Sequence, residues 1–153
     1  MLYQWIVYLH ILAVFAFLLA HGAATAITFK LRGERQVERI RALLDLSASM
    51  RILGSVSLLV LILAGIILGF MGAWWGHGWM WTALILLVLM SVAMSVLASR
   101  PLAQARRLLA ASSLAEVDQQ LSALLAAPNP VVLSAIGGIG IAIILWLMQF
   151  KPF

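Results

Sequence analysis

Four stretches of this chain contain no Lys, Arg, Asp or Glu: residues 2–29, 52–76, 78–99 and 131–150. Each is close to or above the ~20 residues that an α-helix needs to cross the hydrocarbon core of a bilayer. The runs are continuous rather than alternating, which argues against transmembrane barrel strands. Composition agrees. The chain is 65% hydrophobic and 10% charged, against roughly 45–50% and about 25% in soluble domains. The sequence therefore predicts an all-α integral membrane protein: a four-helix bundle forming one domain over 1–153, with spans at about 2–29, 52–75, 78–99 and 130–150. The first span is too long for the apolar core of a signal peptide, and no cleavage pattern follows it. It is expected to stay in the mature protein.

The charges that remain are unevenly placed. Lys30, Arg32, Arg35, Arg39, Arg41 and Arg51 lie between spans one and two, and Arg100, Arg106 and Arg107 between spans three and four. Only Lys151 lies on the other side. The positive-inside rule assigns the two basic loops to the cytoplasm and both termini to the exterior. The expected location is a bacterial-type inner (plasma) membrane. The net charge of +5 is thus explained by solvated loops facing an anionic leaflet, with no need of a nucleic-acid partner. The absence of cysteine excludes disulfides, thiolate metal sites, iron–sulfur clusters and cysteine nucleophiles.

The connections differ in kind. "GAWWGHGWMW" is a tight outer turn whose Trp74, Trp75, Trp79 and Trp81 suit an interfacial aromatic belt. The inner connection "GERQVERIRALLDL" places Val37, Ile40, Leu43 and Leu44 on one helical side with charges opposite. In the second inner loop, Ser113 and Glu116 have capping-box spacing ahead of an amphipathic run ending at "APNP". Both loops read as span extensions or interfacial helices. Gly65 and Gly69, Gly72 and Gly76, and Ser134 and Gly138 have the spacing that lets helix backbones approach. The same spacing could make a flat wall for a planar cofactor.

Two histidines interrupt the most apolar stretch, "LHILAVFAFLLAHG". All residues between His10 and His21 are apolar. Eleven helical residues turn about 20° past three full turns and rise about 16 Å. The two imidazoles therefore share a face at different depths, in a stripe that Tyr3 continues outward and Thr25 and Thr28 inward. Ionisable groups at membrane depth are costly and usually serve a site inside the bundle. The bland alternative is a neutral imidazole hydrogen-bonded to a neighbouring helix. The pair cannot chelate one ion, which needs i, i+3 or i+4 spacing, nor clasp one haem from both sides. Each could serve a separate centre. Spans two to four contain no histidine, so a haem here would have one histidine ligand unless Met90, Met94 or another methionine took the sixth position.

"YLHILAVFAFLLAHGAATAITFKL" resembles the first span of the CopD-like and protoporphyrinogen-oxidase-like small membrane proteins. "SASMRILGSVSLLVLILAGIILG" is similar to their second, with an Arg just inside and then Leu-x-x-Gly spacing. The likeness covers about the first half of the chain. It implies haem b or porphyrin chemistry, with His10 at the family's histidine position and Arg51 at its basic position. "FLLAHG" stands where those proteins carry an aromatic-x-Gly motif, so His21 is an addition.

The expected function is redox or gas chemistry at a haem b iron: O₂ or NO oxidoreduction such as NO dioxygenation, or quinone- or porphyrin-linked oxidation. His10 is the first axial ligand to consider and His21 the second. Near His10, the Trp indoles, Gln149 and Lys151 could meet the propionates. Near His21, Arg51 and Arg100 could. A homodimer would let two chains supply histidines to one iron. Two other readings are copper handling, with Met71, His77 and Met80 collecting Cu(I), and a structural subunit without cofactor.

Overall fold

The computed structural model describes residues 1–111, 118–127 and 129–153. Among these, regular structure is entirely helical. The long helices are α1 (Leu2–Gly33), α2 (Val37–Met71), α3 (Gly78–Met94), α4 (Arg100–Ala111), α5 (Asp118–Ala126) and α6 (Pro130–Phe150). Four helical stretches are long and apolar enough to cross a membrane: Leu2–Gly33, Val37–Met71, Gly78–Ala110 and one within Gln120–Phe150. The chain is thus a multi-pass membrane protein. The Ser113–Glu116 capping box lies outside the described residues.

The helices run past the apolar runs that announce them. α2 has 35 residues, about 52 Å of helix, while the hydrocarbon core is about 30 Å thick. Of the two loop readings, the first is a span extension: only residues 34–36 separate α1 from α2. α3 continues into α4 through a π-helical turn, Ser95–Ser99, in which the Arg100 N–H donates to the Ser95 carbonyl. The physical cause follows in the sequence. Pro101 has no N–H to give Leu97, so the α ladder cannot run unbroken there. A wider turn absorbs the defect.

Helix ends have local causes. The Asn129 carboxamide oxygen accepts from the N–H groups of Val131 and Val132 at 3.1 and 3.5 Å. Pro130 at the first helical position needs no such partner. Between α1 and α2, the Glu34 carboxylate accepts from the N–H groups of Arg35 and Gln36 at 2.9 and 3.0 Å. The outer turn closes through Ala73 in the left-handed region, φ 53°, and a 3₁₀ turn over Trp74–Gly76.

The extensions give the molecule two cores. One lies between the spans and contains Ala13, Leu61, Trp79, Ala83, Leu87, Met90, Ile144 and Leu147. The other gathers Ile27, Leu31, Ile40, Leu44, Leu102, Ala105, Leu109, Leu121 and Leu125 from the basic end. They differ in driving force. Where water is the alternative, burying a Leu or Ile side chain contributes about 1.5–3 kcal/mol. Between spans the alternative is lipid, so close packing must hold the helices together. The expected side of the first inner connection is the one that packs: Ile40 and Leu44 are buried in the second core, with Val37 and Leu43 against it. Within the spans α1 pairs with α2 and α3 with α6, and α1 also touches α6. The space between the two pairs holds the cavities described next.

Candidate functional site

His10 and His21 face two different cavities. The one at the aromatic-turn end, called outer after the expected topology, has about 290 Å³ and is lined by residues of α1, α2, α3 and α6, among them His10, Gly65, Trp75, Trp79, Met80 and Lys151. The inner one, about 240 Å³, includes His21, Thr25, Thr28, Arg51, Met90 and Met94. Phe17 lines both. The stripe expected on α1 is thereby divided: Tyr3 joins the outer cavity, and Thr25 and Thr28 the inner.

The two imidazoles are held differently. His10 Nδ1 lies 3.1 Å from the carbonyl oxygen of Leu61 on α2. A carbonyl only accepts, so Nδ1 carries the proton and a neutral ring has its free lone pair on Nε2. Gly65 makes the approach possible. A Cβ there would stand 3.3 Å from His10 Cε1, tighter than ordinary van der Waals contact. Leu61 and Gly65 are one helical turn apart, so removing a side chain at Gly65 opens the carbonyl before it. His21 has no hydrogen-bond partner among the described residues. Its Nε2 edge presses on Gly137 of α6, where a Cβ would collide with the ring. That edge is thus held close to the α6 backbone, with no hydrogen bond to set the tautomer.

The outer cavity has a polar rim. Lys151 ends α6 in the left-handed region, φ 46°. Its Nζ lies 4.3 Å from the Trp74 ring centre and 5.7 Å from that of Trp79, within cation–π range. Trp81 Nε1 donates to the Trp75 carbonyl at 3.0 Å. Trp75 Nε1 is buried with no partner. A buried N–H left unpaired costs about 1–3 kcal/mol, so this indole is a donor awaiting an acceptor.

Several expectations need correction. The four turn tryptophans do not form one belt: Trp79 is only 4% exposed and belongs to the core between the spans, whereas Trp81 is 48% exposed. Chain reversal points Trp79 into the gap between α3 and α6. Met90 and Met94 accompany His21, while Met80 and Met148 line the His10 cavity. Gly76 and Gly138 face open space. The glycines of α6 that meet neighbouring side chains are Gly137, against His21, and Gly140, against Met90. Arg51 lines the His21 cavity, on the side expected of it, whereas Arg100, expected beside it, and Gln149, expected near His10, are exposed outside both cavities. His77 and Met71 are exposed, while Met80 turns inward toward Gly69. Among the described residues no three His, Cys, Asp or Glu side chains form a group that could hold a metal ion. The unpaired Trp75 indole and the Gly137 contact escaped the sequence reading. Only the density of Trp in the turn and the Gly137–Gly138 pair hinted at them.

No family model matches the chain, and neither a curated protein nor a solved structure matches it.

Proposed function

We propose that the outer cavity binds haem b, that His10 Nε2 would hold its iron, and that the protein carries out redox or gas chemistry there. The observation that carries this reading is the His10 Nδ1 hydrogen bond to the Leu61 carbonyl. Histidines that ligate a metal generally donate their other ring N–H to a carbonyl or carboxylate. That fixes the tautomer and ring direction and makes the ligating nitrogen more basic. His21, with Nε2 against Gly137, lacks both features.

The rim fits the cofactor's carboxylates. Lys151 supplies a cation and the unpaired Trp75 indole a donor, both lining the His10 cavity. The volume of about 290 Å³ falls just below the range of small-molecule pockets, roughly 300–1,000 Å³, so the helix pairs would have to part further to admit the whole porphyrin. Bound haem would supply an iron able to take a diatomic ligand or exchange one electron. His10 would hold and orient it. Apolar walls such as Val14, Leu61 and Leu87 admit O₂ and NO and restrain water. The likeness to CopD-like and protoporphyrinogen-oxidase-like first spans points the same way. The basic end, carrying Lys30 to Arg51 and Arg100 to Arg107, faces the cytoplasm of a bacterial-type plasma membrane in this reading.

The test is the absorption spectrum of protein purified from haem-replete cells. A Soret band that disappears in His10→Ala and persists in His77→Ala supports the proposal. Bound copper with no Soret band overturns it.

A further inference from the structure

A cleft at the basic end lies apart from the His10 cavity and shares Arg51 with the His21 cavity. It runs between α2 and α4, has a volume of about 570 Å³, and is lined by Arg41, Arg51, Arg106, Arg107 and Asp45 among others. Four guanidinium groups thus share one concavity with one carboxylate.

That carboxylate is already engaged. Arg106 Nε donates to Asp45 Oδ1 at 2.8 Å. Arg41 Nη2 donates to the Leu109 carbonyl at 3.1 Å. These two bonds fix two of the cations on opposite walls. Arg51 and Arg107 have no hydrogen bond or ion pair among the described residues. Clustered like charges repel, and an anion seated among them removes that cost. A guanidinium fork matches the spacing of phosphate oxygens and binds them bidentately.

Position narrows the source of the phosphate. Arg51 is the last charged residue before the charge-free run that begins at residue 52, so it stands where α2 enters the membrane. It also lines the inner, largely apolar cavity, which makes it common to a charged cleft and an apolar one. Arg41 is ten residues earlier on the same helix, about 15 Å away by helical rise. A cationic cleft that starts at membrane-entry depth and adjoins an apolar cavity suits an amphiphile with its phosphate at the boundary.

We propose that this cleft binds the headgroup phosphate of an anionic phospholipid, held by Arg51 and Arg107 and flanked by the fixed cations Arg41 and Arg106. The site is independent of haem.

The full-length protein in neutral detergent would be titrated with phosphatidylglycerol, phosphatidylcholine and inorganic phosphate, following retained lipid by native mass spectrometry and the thermal midpoint. Phosphatidylglycerol should be retained at least tenfold better than phosphatidylcholine. A hydrogen bond to a charged group is worth roughly tenfold or more, so Arg51→Gln/Arg107→Gln should weaken retention by at least about tenfold. Lys30→Gln/Arg35→Gln removes the same charge elsewhere at that end and should leave retention within about twofold. Should the glutamine variant fail to fold, Arg51→Lys/Arg107→Lys keeps the charge and loses the fork, and retention should still fall measurably. Equal losses in the two glutamine pairs would reduce the effect to general attraction by the basic end and overturn the site. Stabilisation by inorganic phosphate that phosphatidylglycerol cannot match would overturn the lipid assignment. Equal retention of the two lipids would overturn it too.

Discussion

His10 of α1 donates from Nδ1 to the carbonyl oxygen of Leu61 on α2, at 3.1 Å. The carbonyl belongs to a helical turn whose next residue along the axis, Gly65, has no side chain to keep the ring away. One bond thus ties two spans, selects a tautomer and leaves Nε2 free.

The first prediction tests that bond. Gly65→Ala should keep the ligand but push the ring aside, because a Cβ would lie 3.3 Å from Cε1. If the cavity takes haem as proposed, the haem should remain bound with a shifted spectrum and weaker affinity, about 10–100-fold, as where the orienting partner of a metal ligand is disturbed. His21→Ala should retain the wild-type Soret band. Loss of haem in His21→Ala with retention in His10→Ala would reverse the assignment.

A second prediction follows from the ligand inventory. The outer cavity contains one histidine, and its other soft donors are Met80 and Met148. On the haem proposal, the ferrous form should therefore bind CO readily, with a clear spectral change at low CO. An unchanged low-spin spectrum would mean two strong axial ligands and would shift the function to electron transfer, with a haem shared between two chains as the next arrangement to examine.

The α6 glycines should behave differently on substitution. At Gly137 a new Cβ collides with the rigid His21 ring, and overpacking of this kind costs about 1–3 kcal/mol. At Gly140 it meets Met90 Sδ at 2.7 Å, and a thioether can swing away. Gly137→Ala should lower the unfolding midpoint in detergent, and Gly140→Ala should leave it unchanged or raise it. Adding His21→Ala should recover part of the Gly137→Ala loss, since the two residues are in contact. Equal midpoints for the two single variants would dismiss the contact as unimportant.

Orientation can be read directly. Reporter fusions at Gly33, the last residue of α1, and at His77, in the aromatic turn, should report cytoplasm and exterior respectively. The opposite pattern would invert the molecule in the membrane.

Acid should weaken the α1–α2 connection. The backbone N–H groups of Gln36 and Arg35, with Arg39 and Lys30 nearby, hold the Glu34 carboxyl below its ordinary value of 4.5. A folded pKa below the unfolded one contributes stability above the unfolded value, and that contribution is lost as pH falls through the folded value. The wild-type midpoint should therefore fall in a titration below pH 4.5 by more than that of Glu34→Gln. Parallel curves would show that Glu34 contributes nothing.

Long helices, their number and the basic character of one end follow from composition along the chain, because a residue's preference for lipid or water needs no partner. The shared face of His10 and His21 follows as well, since both ride one helix of known pitch, and so does the packing side of Ile40 and Leu44. Partners do not follow. That His10 finds the Leu61 carbonyl while His21 meets Gly137 depends on which helices lie against α1 and at what height. Hydropathy is nearly uniform around these spans and does not select a neighbour. The inward turn of Trp79, the separation of Met80 from Met90 into two cavities, and the convergence of Arg41 and Arg51 with Arg106 and Arg107 have the same origin. Each joins residues far apart in the chain, and only the packing of α1 with α2, α3 with α6 and α2 with α4 brings them together.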